Sequence, residues 1–162
     1  MLLAATGARK QEVFKGTWDH VDLARCQLTV PRSKNGKPRQ VPLSPFAVAL
    51  LRGQLARREG GCPFVFPAWG KPDQPLQEVR RTWATAKRRA GLPADLRVHD
   101  LRHSFASALA TQGIPLFEIG AVLGHRQLST TTRYAHHAPE RLVATAAVAA
   151  RAWDREDETE AA

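Results

Sequence analysis

A chain of 162 residues, 43% hydrophobic and 24% charged, can bury one core and has the balance of a folded domain in water. Its 24 lysines and arginines against 15 aspartates and glutamates give a net charge of +9, which favours a polyanionic partner. Two cysteines in unrelated contexts, Cys26 and Cys62, argue against a disulfide framework or a Cys-rich zinc site, and no apolar run suits a membrane span or a signal peptide, so the expectation is a cytoplasmic protein.

The opening MLLAATGARKQEVFKGTWDHVDL reads as a helical fragment, a break at Thr6-Gly7 and a second short helix. Few apolar residues precede the break, so the first helix looks cut short and the chain reads as a fragment of a longer protein. In CQLTVPRSKNGKPRQVPLS, Leu28 and Val30, then Val41 and Leu43, alternate on either side of Asn35-Gly36, the pattern of a β-hairpin. SPFAVALLRGQLARREGG supplies an N-cap serine, a proline at the first helical position and a Gly-Gly stop. CPFVFPAWGKPDQPL predicts a short extended piece and then a Pro/Gly loop.

QEVRRTWATAKRRAGL is a basic amphipathic helix closed by Gly91. HDLRHSFASALATQG predicts a helix capped by Asp100 and ended by Gly113, and PLFEIGAVLGH another beginning at Pro115. STTTRYAHH predicts a short helix after Ser129, and PERLVATAAVAARAW a last, alanine-rich helix from Pro139 to Trp153. The tail from Asp154 onwards carries the acidic run DREDETE and reads as disordered, so the body before it is more basic than the whole. Together these elements give a mainly α fold with a small antiparallel β-sheet, in the α+β class.

Certain residues suggest chemistry. His99 and Arg102 stand three apart, which puts both on one face of a helix that starts there. His103, four residues after His99, would suit a metal pair, but HExxH and paired cysteines are both missing. Tyr134, the only tyrosine, lies among Arg133, His136 and His137. Arg80, Arg81, Lys87, Arg88 and Arg89 make one helix more basic than solvation requires, which favours contact with a DNA backbone, though phosphate contacts carry no base information.

Taken in order, TGARKQE, SKNGKPR, HDLRH, LGH and TTTRYAHH resemble the catalytic domain of the tyrosine recombinases, the phage-integrase family, from Leu2 to about His137. The resemblance implies helices around a small sheet, here residues 1–153, and an activity that cuts and rejoins double-stranded DNA without metal, cofactor or ATP. By the same resemblance Arg9 and Arg102 match the family's arginines, Lys34 its hairpin lysine, His99 the first histidine of HxxR, His125 the later histidine, and Tyr134 the nucleophile. Lys37 on the same turn is the rival to Lys34. Glu12 is expected to buttress Arg9, and His103 to stand behind the site without touching phosphate.

The implied chemistry needs these residue types. Tyrosine, with an ordinary pKa of about 10, attacks a phosphodiester only with help from a base or a positive field. His99 is the expected proton acceptor, Lys34 the donor to the leaving 5′ oxygen, and the arginines hold the non-bridging oxygens. The product is a 3′-phosphotyrosyl link that conserves the bond energy, so a second hydroxyl reverses the step. A type IB topoisomerase, which shares this link, and a DNA-binding fragment that never cleaves are the alternatives.

Relatives usually carry a separate N-terminal DNA-binding domain, and nothing in this chain matches it. The resemblance further implies a tetramer on DNA and a monomer when free. The C-terminal helix is expected to pack either on its own domain or on a neighbouring protomer. Tyr134, on a short polar segment, is expected to lie away from the pocket of Arg9, Arg102 and His125 in the free protein.

Overall fold

A computed structural model describes residues 1–31 and 38–125. The Thr6-Gly7 break divides two short helices, α1 (Leu2–Thr6) and α2 (Lys10–Phe14). Buried Thr6 donates its hydroxyl to Leu2 O at 2.8 Å, and Gly7 takes a left-handed conformation (φ 61°), its N–H closing on Leu3 O. That conformation disfavours any residue with a Cβ. Space forbids one as well, because a Cβ on Gly7 would stand 2.5 Å from Phe105 and 2.8 Å from Leu123.

The second short helix expected after the break is α2, and the chain then leaves the α-helix. Trp18–His20 form one 3-10 turn, and Val21–Asp22 then pair as β1 with β2 (Gln27–Val30). Asp22 stabilises the tight link by accepting the N–H groups of Ala24 and Arg25. β2 pairs antiparallel with β3 (Arg39–Pro42), setting Leu28 opposite Val41. The expected hairpin is therefore present with one extra strand on its edge, and the order is β1-β2-β3. Its turn, with Lys34, Asn35-Gly36 and Lys37, lies outside the described residues.

Ser44 caps α3 (Pro45–Leu55) as its sequence requires, its Oγ accepting the Ala47 N–H at 3.3 Å. The expected Pro/Gly loop is instead a second hairpin, β4 (Pro67–Ala68) and β5 (Lys71–Pro75), turning at Trp69-Gly70. Proline is compatible with a two-stranded ribbon because its missing N–H can face away from the partner.

The basic helix is α4 (Arg80–Arg89), fixed to the following loop by Trp83, whose indole N–H donates to Leu96 O at 2.9 Å. α5 (Asp100–Thr111) and α6 (Leu116–Leu123) complete the described fold. Asp100 does not cap α5 as expected: His99 occupies the N-cap position, and the Asp100 carboxylate turns back to Arg97, taking its backbone N–H and its guanidinium. The expected helices at STTTRYAHH and Pro139–Trp153, and the acidic tail, lie outside the described residues.

Among the described residues two apolar clusters form. The larger joins α1, α2, α3 and the three-stranded sheet through Val13, Phe14, Leu28, Val41 and Leu51, with Trp18 packed against it. The smaller joins α5 to α6 through Ala106, Ala110, Ile119 and Leu123, with Phe105 beside it. Gly7 lies where they meet. Gly7→Ala should cost roughly 2–4 kcal/mol, from left-handed strain plus overpacking against Phe105 and Leu123. Urea unfolding measures this, and a change within about 0.5 kcal/mol, ordinary for a neutral site, would contradict the packing described.

Candidate DNA-phosphate site

The site begins at Gly7. Its carbonyl accepts a 2.7 Å bond from Arg102 Nη1, while Arg102 Nη2 donates to Leu123 O at 2.8 Å. Arg102 is only 6% exposed, and α5 is the element that delivers it. Removing such a charge from water is costly unless it is hydrogen-bonded, and two carbonyls at different nitrogens also fix the plane of the guanidinium. Gly7 precedes Arg9 by two residues and Leu123 precedes His125 by two, so a single side chain holds the segments that carry both.

Arg9 stands at the N-cap of α2, its side chain 24% exposed. Glu12, one turn on, accepts both the Arg9 backbone N–H at 2.8 Å and Arg9 Nη1 at 3.0 Å. The expected contact of Glu12 with Arg9 is thus present. A second arginine, Arg39 at the start of β3, lies on the other side of the same carboxylate. Its Nε donates to Glu12 Oε1 at 3.2 Å and its Nη2 to Glu12 Oε2 at 2.7 Å. Burial pushes the Glu12 carboxyl up, but the Arg39 and Arg9 bonds outweigh it and hold the group below its ordinary value of 4.5.

His99 lies with Arg9 and Glu12 on one open cleft, which Lys10, Lys15 and His20 also line. Burial first, then the charges of His103 and Arg102, push the His99 imidazole below its ordinary 6.5, so the ring is neutral at pH 7 and can accept a proton. His103 meets it edge-on, the ring centroids 5.2 Å apart. His125 follows the left-handed Gly124 and is placed by its backbone N–H, which donates to Gly120 O at 2.8 Å. Among the described residues no group of three or more His, Cys, Asp and Glu could hold a metal ion.

Of the sequence-predicted catalytic residues, Arg9, His99, Arg102 and His125 are among the described residues. Arg9, Glu12 and His99 share the cleft, and Arg102 and His125 join them through Gly7 and Leu123. Lys34 and Tyr134 lie outside the described residues, as does the expectation about where Tyr134 sits in the free protein. On α4, Arg80 is bound by Glu78 at 2.9 Å and Lys87 donates to Ala94 O, whereas Arg81 and Arg89 line a shallow hollow on that helix. Sequence reasoning passed over Arg39, and also Lys10, Lys15 and His20 in the cleft; the only signal at Arg39 was a basic residue directly after the hairpin turn.

A small antiparallel sheet among helices, with Arg9 and His99 lining one cleft and Arg102 buried behind Gly7, defines an α+β domain. The Phage integrase family model matches residues 1–141, and the chain belongs to that family. It is 36% identical over 146 residues to tyrosine recombinase XerD of Rhizobium meliloti (strain 1021), covering 87% of this chain and 47% of the relative. The chain spans about half the length of the curated relatives it matches.

The catalytic domain of bacteriophage HP1 integrase superposes with a TM-score of 0.65 at 28% identity, covering 90% of this chain and 76% of that one. The XerH site-specific recombinase bound to difH substrate, in a pre-cleavage complex, gives a TM-score of 0.72 at 25% identity, covering 90% and 44%. The expected fold is thus the observed one. Among the described residues no helix is long and apolar enough to cross a membrane.

The Glu12 geometry has a measurable consequence. A carboxylate whose folded pKa is depressed adds stability that is fully present above its unfolded value and is lost as pH falls through the folded one. The protein should therefore lose stability as pH drops below 4.5, and Glu12→Gln should flatten that fall while lowering stability at pH 7. Urea midpoints between pH 3 and pH 7 test this. Parallel curves for the two proteins would contradict it.

Proposed function

We propose that this chain is the catalytic domain, residues 1–153, of a site-specific DNA recombinase or integrase that cleaves and rejoins strands through a 3′-phosphotyrosyl intermediate. One observation carries the reading: the Arg102 guanidinium is bonded at once to the carbonyls of Gly7 and Leu123, two residues before Arg9 and His125. Such preorganisation suits a transition state with extra negative charge on the non-bridging phosphate oxygens. The relatives named above are recombinases and integrases, which favours strand exchange over the topoisomerase reading. XerH bound to its difH substrate supports double-stranded DNA as the partner.

In this reading Tyr134 Oη attacks phosphorus, the bond from phosphorus to the 5′ oxygen breaks, and the enzyme keeps the 3′ phosphate as a tyrosyl ester. Neutral His99 accepts the tyrosine proton, with His103 behind it, and Lys34 gives a proton to the departing 5′ oxygen. Arg9, Arg102 and His125 bind the non-bridging oxygens. A guanidinium has five N–H groups in one plane, so a residue of this kind can rest on carbonyls and still share in holding an anion. Arg80, Arg81, Lys87, Arg88 and Arg89 lie along α4 as sequence-independent backbone contacts. The assembly is a tetramer on DNA formed from free monomers.

The test is a denaturant-resistant protein–DNA adduct on pooled nicked duplexes in EDTA. The chain should form it and Tyr134→Phe should not, while both bind DNA with the same salt dependence. No adduct from the unsubstituted chain, an adduct that survives the substitution, or one formed only with added metal would overturn the reading. Arg9→Ala should slow adduct formation by roughly a hundred- to a thousandfold, the usual loss for one preorganised contact to developing charge.

The pH dependence follows from His99. Because its pKa is lowered, the neutral base persists on the acid side, and the acid limb of the cleavage rate should fall below pH 6.5. A limb at or above 6.5 that remains in His99→Gln would contradict the proton-accepting role.

A further inference from the structure

We propose that Arg39 is a positioning residue for strand cleavage, one that aims the Arg9 guanidinium through Glu12 and fastens it to the end of α6 that carries His125. The proposal rests on the strand-transfer reading above.

Four N–H groups converge on the two oxygens of Glu12: the Arg9 backbone N and Arg39 Nη2 on Oε2, Arg9 Nη1 and Arg39 Nε on Oε1. An ionised carboxylate has about four acceptor positions, so the set saturates it. With its side chain 6% exposed, Glu12 has little water to replace a lost partner. Without Arg39 the carboxylate would lose half of its donors and its side-on clamp, and would be free to swing Arg9 with it.

The third nitrogen of Arg39 reaches further. Nη1 donates to Val122 O at 3.2 Å, next to the Leu123 carbonyl that Arg102 takes. Successive carbonyls in the last turn of α6 are thus held by two guanidiniums, which also suits the negative end of the helix dipole. Gly124 makes room for this: a Cβ there would stand 2.7 Å from Arg39 Cδ and 3.0 Å from its Nε. The Arg39 side chain is 11% exposed and starts β3 while bonding Glu12 of α2 and Val122 of α6, so it lies where the sheet, α2 and α6 meet. It lines no part of the open cleft beside Arg9 and His99, which argues for an action through Arg9 and not on DNA.

The experiment is a double-mutant cycle on single-turnover adduct formation with pooled nicked duplexes, using Arg39→Met, Arg9→Ala and both. Arg39→Met should slow the reaction roughly 10- to 100-fold, as expected for residues coupled in one network, and add less than about threefold once Arg9 is alanine. Arg39→Lys should recover part of the loss, because an ammonium keeps the charge but cannot clamp both oxygens. A duplex with sulfur at the 5′ bridging position, which leaves without protonation, separates the routes: it should rescue Lys34→Ala and not Arg39→Met. Equal losses in both Arg9 backgrounds, or rescue of Arg39→Met by sulfur, would overturn the proposal.

If Arg39→Met fails to fold by circular dichroism, the Arg39→Lys cycle decides. If the unsubstituted chain forms no adduct, the strand-transfer reading fails by itself, and 15N relaxation of the Arg9 Nε–H group then decides the positioning claim. That group should be ordered in the unsubstituted chain and mobile in whichever Arg39 variant folds. Equal order in both would overturn it.

Discussion

The site depends on one buried guanidinium shared between two main-chain carbonyls. Arg102 enters from α5, bonds Gly7 O on one side and Leu123 O on the other, and so sets the distance between the start of α2 and the end of α6. Each neighbour of that contact is shaped to permit it. Gly7 is left-handed and has no room for a Cβ, Thr6 closes α1 with its own hydroxyl, and Leu123 is fully buried in the α5–α6 cluster. A charge in such a place is costly unless its bonds are made, so the folded arrangement is strongly specified there.

The Glu12 carboxylate extends the same device across the sheet. It neutralises part of a concentrated positive charge while holding two arginines in fixed directions, which a lone glutamate–arginine pair on a helix surface would not do. One acid thus orders two arginines, and the cleft beside it keeps Arg9, Lys10 and Lys15 as its cations. His99 sits at the N-cap of α5 in this field, and the positive charge around it is part of the reason its ring stays neutral.

Where local residues decide the structure, the sequence was legible. Ser44-Pro45 announced α3, the alternation of Leu28 and Val30 with Val41 and Leu43 announced the hairpin, and the ordered motifs announced the family. Strands of two residues were not legible, since Val21–Asp22 and Pro67–Ala68 are too short for any periodicity and are defined by their partners. Asp100 carried a capping signal but found a stronger partner in Arg97. Arg39 was hidden for a related reason: its meaning comes from Glu12 and Val122, distant in the chain, and not from its immediate neighbours.

The central claim is that Arg9, Arg102, His99 and His125 converge on one DNA phosphate. A crystal structure of the chain bound to a nicked duplex tests it most directly. The account predicts one phosphate within hydrogen-bond reach of the Arg9 and Arg102 guanidiniums, with His99 and His125 beside it and the Tyr134 hydroxyl directed at phosphorus. A duplex held along α4 alone, with no phosphate touching Arg9 or Arg102, would contradict it.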